Sequence, residues 1–467
     1  MFLGIDRIEK NKMAAIDDKG QQITYGELAA CPAQLCDVIP SRSVVFLMCT
    51  NTVGCLVAYI SMIENGIVPV TLSGSMDTEL FDVLYNIYRP QYICVQAEQA
   101  EKYGFNSIYE ERGFVYLATK QPLYPIHNKL QLLMTTSGST GSPKLVRYKN
   151  GNLEANAKNV AKAWKWTSEE RPICDLAMNY TMGLNVINTH LYVGATLLLV
   201  THNITDRRYW DFIKKYKATN FTGVPFSYDL LWKIRFPKMD LTHLTTLSSG
   251  GGKMTETMFK TIAEYCQQNN KRFIASFGTT ETSARLAMLE ADKAAEKIGS
   301  IGKAIPEGQL ILFDEKGNEI QEVEAEGELG YRGPNVTMGY AQCIEDLALD
   351  DVFCGLYRTG DIARRDRDGY YYIVGRLLRF LKMLGYRISL DQSENLIREK
   401  FNIDCACGGN DAKMMIYITS CSVNQDEIKR FISEKTGIHT SMFEIITVKE
   451  IPRNSSGKIL YRQLQTD

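Results

Sequence analysis

The stretch LMTTSGSTGSPK, residues 133–144, decides how the rest of the chain is read. From Thr135 onward, ten consecutive residues are hydroxylated, Gly, Pro or Lys. Gly138 and Gly141 lack a Cβ and tolerate positive φ, so backbone N–H groups can turn toward one anion, while Thr136, Ser137, Ser139 and Thr140 add hydroxyl donors. Lys144 supplies a charge that a pyrophosphate can meet. Flexible surface linkers have a similar composition. Here, however, an apolar run (Leu130, Leu132, Leu133, Met134) leads in and a strand-like Leu145-Val146 leads out, which predicts a loop anchored in a sheet. The common P-loop requires Gly-Lys-Ser/Thr, with its hydroxyl on Mg²⁺; Lys144 instead follows Pro143 and precedes Leu145.

Outward from this loop the pattern alternates. Residues 44–48 form an apolar run, 53–64 carry Val57, Ile60 and Ile63 at helix spacing, and 66–72 return to an apolar run. Residues 26–38 and 152–166 read as further helices, the latter with Leu153, Ala157, Val160, Ala161 and Trp164 on one face. Strand, helix, strand succession predicts a parallel α/β sheet. Two later strands, 244–248 and 272–276, each run into a turn: Ser249-Gly250-Gly251-Gly252-Lys253, and Phe277-Gly278-Thr279-Thr280-Glu281-Thr282. Open α/β sheets bind ligands beyond the carboxyl ends of their strands, so the three turns are expected to face a single nucleotide-sized crevice.

From about residue 298 the chain shifts to short strands and turns, predicting a β-rich subdomain at about 298–377. A basic segment with Arg379, Lys382 and Arg387 follows, and the last ninety residues read as a small α+β domain. One of its helices has Asn424 as N-cap, Glu427 three residues later and Gly437 as its stop. The expected fold class is multi-domain α/β: an N-terminal core of α/β layers at 1–377 and a small mobile C-terminal domain at 378–467.

Composition narrows the partners. At 467 residues the chain has room for roughly two to four domains. Net charge is −1, from 53 basic and 54 acidic residues, so neither a nucleic-acid partner nor a polyanion surface is expected. The twelve cysteines include no Cys-x-x-Cys and no zinc-finger spacing, which predicts reduced thiols. No run reaches the roughly eighteen apolar residues of a membrane span, and MFLGIDRIEKNKM lacks a signal-peptide core. The expectation is a cytoplasmic protein without membrane insertion.

TSGSTGSPK, FGTTE, YRTGD, GR and the terminal SSGK occur here in order and together cover nearly the whole chain. In this it resembles the adenylate-forming (AMP-binding) superfamily of acyl-CoA synthetases, aryl and fatty acid ligases, luciferase and peptide-synthetase adenylation domains. The resemblance implies an AMP-forming ligase. A carboxylate attacks the α-phosphate of ATP, releasing pyrophosphate, and the resulting acyl-adenylate passes its acyl group to a thiol. That thiol belongs to coenzyme A or to the phosphopantetheine arm of a carrier protein in trans.

By the same resemblance Glu281 ligates the Mg²⁺ that bridges the phosphates, a role suited to a carboxylate. Phe277 lies against adenine, Gly278 permits close approach, and Thr279 and Thr280 sit at the phosphates, with Thr280 reaching the α-phosphate. Gly250, Gly251 and Gly252 line the adenine and acyl sites. Asp361 accepts from both ribose hydroxyls, and Arg376 binds beside it. Lys458 carries the first chemical step by stabilising charge as it develops. Leu378 occupies the hinge, where the family usually carries Asp or Lys.

The acyl pocket is implied at Tyr180, Thr181, Gly183, Gly252, Ser276 and Arg285. Thr181 aligns where amino-acid-activating relatives carry an Asp, which speaks against an α-amino acid. Arg285, four residues past Glu281, shares its helical face if a helix starts there; it then meets a polar or anionic acyl group, a phosphate or a surface carboxylate. A small carboxylic acid is the expected substrate. Other readings of the motif set are a stand-alone amino-acid-activating enzyme, a catalytically silent nucleotide-binding relative and a luciferase-type enzyme.

Overall fold

The computed structural model describes residues 1–135, 144–377, 379–383, 386–420, 423–453 and 459–464. Thr136, Ser137, Gly138, Ser139, Thr140, Gly141, Leu378 and Lys458 lie outside the described residues.

Two large sheets carry the N-terminal part. The first has eight strands in the order Tyr340–Ala341, Leu145–Lys149, Leu130–Thr135, Val68–Ser73, Val44–Cys49, Tyr92–Gln96, Phe114–Ala118 and Asn106–Glu111. Its centre is parallel and, as the run VVFLMC anticipates, buried on both faces. Leu130–Thr135 then pairs antiparallel with Leu145–Lys149, Thr135 opposite Leu145, so these two neighbouring strands flank the stretch 136–144 in sequence. The helix predicted over 26–38 is two pieces, Tyr25–Ala30 and Pro32–Leu35. Pro32 has no N–H to continue the first helix and starts the second.

The second sheet has nine strands: Lys303–Ala304, Ala287–Leu289, Arg272–Phe277, Thr246–Ser249, Asn220–Gly223, Pro172–Cys174, Leu197–Leu199, Met13–Asp17 and Gln22–Thr24. Its middle is parallel, and both edges turn antiparallel. The core lies between the sheets, where the helices Val53–Glu64 and Thr181–Tyr192 pack with Val45 and Leu47 of the first sheet and Leu197 and Leu199 of the second.

The strands Gln309–Phe313, Ala325–Arg332, Leu356–Arg365 and Tyr371–Arg376 form a separate antiparallel sheet. The segments around it are laced into both large sheets, through Lys303–Ala304 and Tyr340–Ala341. Arg147, fully buried, tightens the second lacing by donating to the carbonyls of Met338, Tyr340, Leu349 and Asp350. Beyond it, Cys405–Asn410, Lys413–Ile418 and Phe443–Thr447 form a three-stranded sheet packed by the helices Leu390–Phe401 and Gln425–Thr436. Asn424 caps the second helix by accepting from Asp426 N–H, and Gly437 ends it at φ 73°. The whole is a multi-domain α/β fold. Among the described residues no helix is long and apolar enough to cross a membrane.

Candidate active site

Strand Arg272–Phe277 ends in a turn that returns antiparallel as Ala287–Leu289, with Phe277 opposite Ala287. The condition for Arg285 to share a helical face with Glu281 is not met: the chain makes a short 3₁₀ turn, Thr280–Thr282, and passes through positive φ at Ser283 and Ala284. Gly278 was expected to admit adenine, but its missing side chain serves this turn. A Cβ there would stand 1.3 Å from the Ala284 carbonyl oxygen. Thr279 is bound within the turn, its hydroxyl 3.3 Å from that of Thr282.

Glu281 is 9% exposed and tied to the segment that follows the small sheet's second strand. Its backbone carbonyl accepts from the N–H and the hydroxyl of Thr337, each at 3.0 Å, and its Oε1 accepts from the Tyr340 hydroxyl at 2.6 Å. The Nζ of Lys144, at the close of the Gly/Ser stretch, lies 3.9 Å from the centroid of the same Tyr340 ring. The Tyr357 hydroxyl, in YRTGD, is 3.4 Å from that of Tyr340. Burial, reinforced by the Glu281 carboxylate, pushes both phenols well above their ordinary range, so both stay protonated. Thr181 donates to the Thr280 hydroxyl at 3.1 Å, and Tyr148 donates to the Thr280 carbonyl at 2.7 Å.

The strand that begins at Leu356 carries Asp361 to a position opposite Arg376, whose Nε is 3.2 Å from Oδ1. Burial raises the Asp361 carboxyl and the guanidinium draws it back down. Lys144, Thr181, Thr280, Glu281, Tyr340 and Tyr357 thus meet in one place, with Asp361 and Arg376 on the strand pair leading from it.

The glycine turn adjoins the pocket residues. Ser276 donates to the Ser249 carbonyl at 3.0 Å. A Cβ on Gly250 would approach Ser276 Oγ to 2.8 Å and Met182 Sδ to 3.0 Å. Gly251 has φ 77°, and a Cβ on it would come 2.3 Å from Tyr180 Oη. Gly252 is roomier, its nearest neighbour being Pro225 at 3.4 Å. Phe277 is half-buried at the turn's entrance.

Two further expectations need correction. Gly183 does not line the pocket; a Cβ there would strike the carbonyl oxygens of Ala177 and Leu176 at 2.4 and 2.5 Å, so it lets helix Thr181–Tyr192 start close to that loop. Arg285 shares no helical face with Glu281 and meets no surface carboxylate. It is 2% exposed, its Nη1 donates to Asn185 Oδ1 at 2.5 Å, and its guanidinium lies 4.5 Å from the Trp164 ring. Tyr340, Tyr148 and Asn185 escaped the sequence reading, because neither spacing nor flanking motif marks them.

Residues 7–341 match the family model described as AMP-binding enzyme. The chain belongs to that family. It is accordingly an ATP-dependent, AMP-forming ligase that activates a carboxylic acid and passes it to a thiol. The 2-succinylbenzoate–CoA ligase of Bacillus cytotoxicus is 24% identical to this AMP-binding enzyme over 99% of the chain and 96% of the relative. The oxalate–CoA ligase of Arabidopsis thaliana is 27% identical over 71% of the chain and 66% of the relative. The o-succinylbenzoate CoA synthetase of Bacillus subtilis, solved with its acyl-adenylate, superposes with a TM-score of 0.82 at 19% identity, covering 99% of this chain and 97% of that one. The same synthetase with ATP and magnesium gives 0.77 at 18% identity over 99% and 98%.

Proposed function

We propose that this AMP-binding enzyme joins a small carboxylic acid to coenzyme A, using MgATP and the residues gathered at Glu281. The observation that carries the reading is the set of contacts that Tyr340 makes with Lys144, Glu281 and Tyr357, which draws Lys144, the FGTTE turn and the YRTGD strand to one point.

In the first step a carboxylate oxygen of the acid bonds to the α-phosphorus of ATP, and the bond to pyrophosphate breaks. Lys144 supplies a cation for the departing pyrophosphate, and the glycines and hydroxyls of the sequence 136–143 suit the same group. Thr280 accepts from Thr181 and so keeps its own proton to donate to an α-phosphate oxygen. Asp361 receives the ribose hydroxyls. Glu281 is the carboxylate at this point, and among the described residues no cluster of three or more His, Cys, Asp or Glu could hold a metal unaided. One carboxylate completed by phosphate oxygens and water suits Mg²⁺, which when bound neutralises the charge between the phosphates. Lys458 approaches the reacting carboxylate in this step, and residues 378–467 reorient about Leu378 for the second, in which the thiol displaces AMP.

Coenzyme A as acceptor is supported by the names of the related ligases; a carrier-protein thiol in trans is the alternative. An α-amino acid substrate is disfavoured because Thr181 engages Thr280 and offers no carboxylate to an ammonium. The test is acid-dependent exchange of labelled pyrophosphate into ATP over short, branched, aromatic and amino acids, followed by thioester formation on coenzyme A or on a phosphopantetheinylated carrier. Silence with every acid would leave a nucleotide-binding relative without turnover, and thioester on the carrier alone would overturn the acceptor.

A further inference from the structure

Arg285 is built into the wall between the helices Asn152–Trp164 and Thr181–Tyr192. Asn156 Nδ2 donates to the Arg285 carbonyl at 2.7 Å, and Asn185 Nδ2 donates to Asn156 Oδ1 at 2.7 Å. That bond turns Asn185 Oδ1 toward the guanidinium, where it accepts from Nη1 at 2.5 Å. The Trp164 ring lies 4.5 Å from the guanidinium carbon. Two donors are left over: the buried Nε and Nη2 of Arg285 have no hydrogen-bond partner among the described residues. Burial pushes the guanidinium down to about 10, with the Tyr180 phenol acting the other way. The stretch 136–143 contains no Asp or Glu that could reach over to it.

A buried cation without an anion is costly, and buried donors are normally satisfied. Nε and Nη2 form one edge of the planar guanidinium fork, the edge that grips a carboxylate through two parallel hydrogen bonds. The site connects to the reaction centre through Asn185. Asn185 lines a small internal cavity with Met134, Tyr148, Thr181 and Ser283. Thr181, one helical turn earlier and so about 6 Å away along the axis, bonds to Thr280 beside Glu281.

We propose that Arg285, oriented by Asn185, takes a second anionic group on the acid being activated, so that the enzyme selects short acids with a carboxylate at the end remote from the reacting carboxyl. The inference rests on the adenylation reading above and names its substrate class. A monocarboxylic acid of the same length leaves the fork unpaired and binds with that penalty uncompensated, which is how a buried polar site rejects an analogue lacking its partner.

The test measures acid-dependent pyrophosphate exchange with matched pairs: butanoate against succinate, pentanoate against glutarate, hexanoate against adipate. The wild type should favour one or more of the diacids by roughly 100-fold in kcat/KM. Arg285→Gln should lose most of that preference while keeping or gaining activity on the monoacid, and Arg285→Lys should restore part of it. The ligand-free Tm of Arg285→Met should equal or exceed that of the wild type, because an unpaired buried charge has been removed; a large fall would mean that Arg285 serves packing instead. Exchange with monoacids as efficient as with diacids, or an unchanged ratio in a folded Arg285→Gln variant, would overturn the proposal and leave adenylation standing. Silence with both series would overturn both.

Discussion

Replacing Tyr340 by Phe removes one hydroxyl and little else. That hydroxyl donates to Glu281 Oε1 at 2.6 Å, a short bond to an ionised acceptor. Bonds of this kind are worth about 1.5–3 kcal/mol. At about 1.4 kcal/mol per tenfold, losing the bond should slow adenylation by roughly 10- to 100-fold if Glu281 must be held in one orientation to serve the phosphates and their metal. The phenyl ring keeps its place 3.9 Å from Lys144 Nζ and 5.6 Å from Phe353, so the cation–π contact and the packing survive. Tyr340→Leu removes the ring as well and should cost a further 0.5–1 kcal/mol or about 2- to 5-fold. Acid-dependent pyrophosphate exchange, run across a Mg²⁺ titration, reads both effects. The Phe variant should show a lower maximal rate and a higher Mg²⁺ requirement with nearly unchanged Tm. Exchange within about twofold of the wild type at every Mg²⁺ concentration would refute the reasoning, since Glu281 would then be positioned by its backbone bonds to Thr337 alone.

Gly278→Ala should destabilise the protein by at least about 3 kcal/mol, because its Cβ would collide with a backbone oxygen; Gly252→Ala, with 3.4 Å to spare, should be nearly neutral in Tm. Lys458→Ala should cut pyrophosphate exchange about 100-fold or more while leaving thioester formation from supplied acyl-adenylate largely intact, and equal loss in both steps would contradict its assignment. His190 is buried and its pKa is pushed down from 6.5 to about 4. The unfolded chain therefore binds more protons between those values, and stability should fall as pH drops through that window, by up to about 3 kcal/mol. Thermal unfolding of His190→Gln should lose this part of the acid sensitivity; an identical pH profile would show that His190 is not its source.

Residues that act through their own neighbours were legible in the sequence. The Gly- and hydroxyl-rich turns, the strand and helix alternation and the Asn424 and Gly437 helix ends follow from backbone freedom and periodicity, which are local properties. Boundaries slipped where a single residue broke a pattern, as Pro32 did. The segment after Glu281 was open in the sequence. Its composition permits a helix, and the antiparallel pairing of Phe277 with Ala287 decided otherwise.

The sequence by itself determined that several Gly- and hydroxyl-rich turns adjoin the strands of a layered α/β protein, because each such turn is written within a few consecutive residues. Tertiary structure alone decided which side chains meet. Tyr340 reaches Glu281 across 59 positions, and Arg285 reaches Asn185 across 100. Whether a charge ends up hydrated or sealed against Trp164 depends on how two helices and two sheets pack together, and no local pattern encodes that.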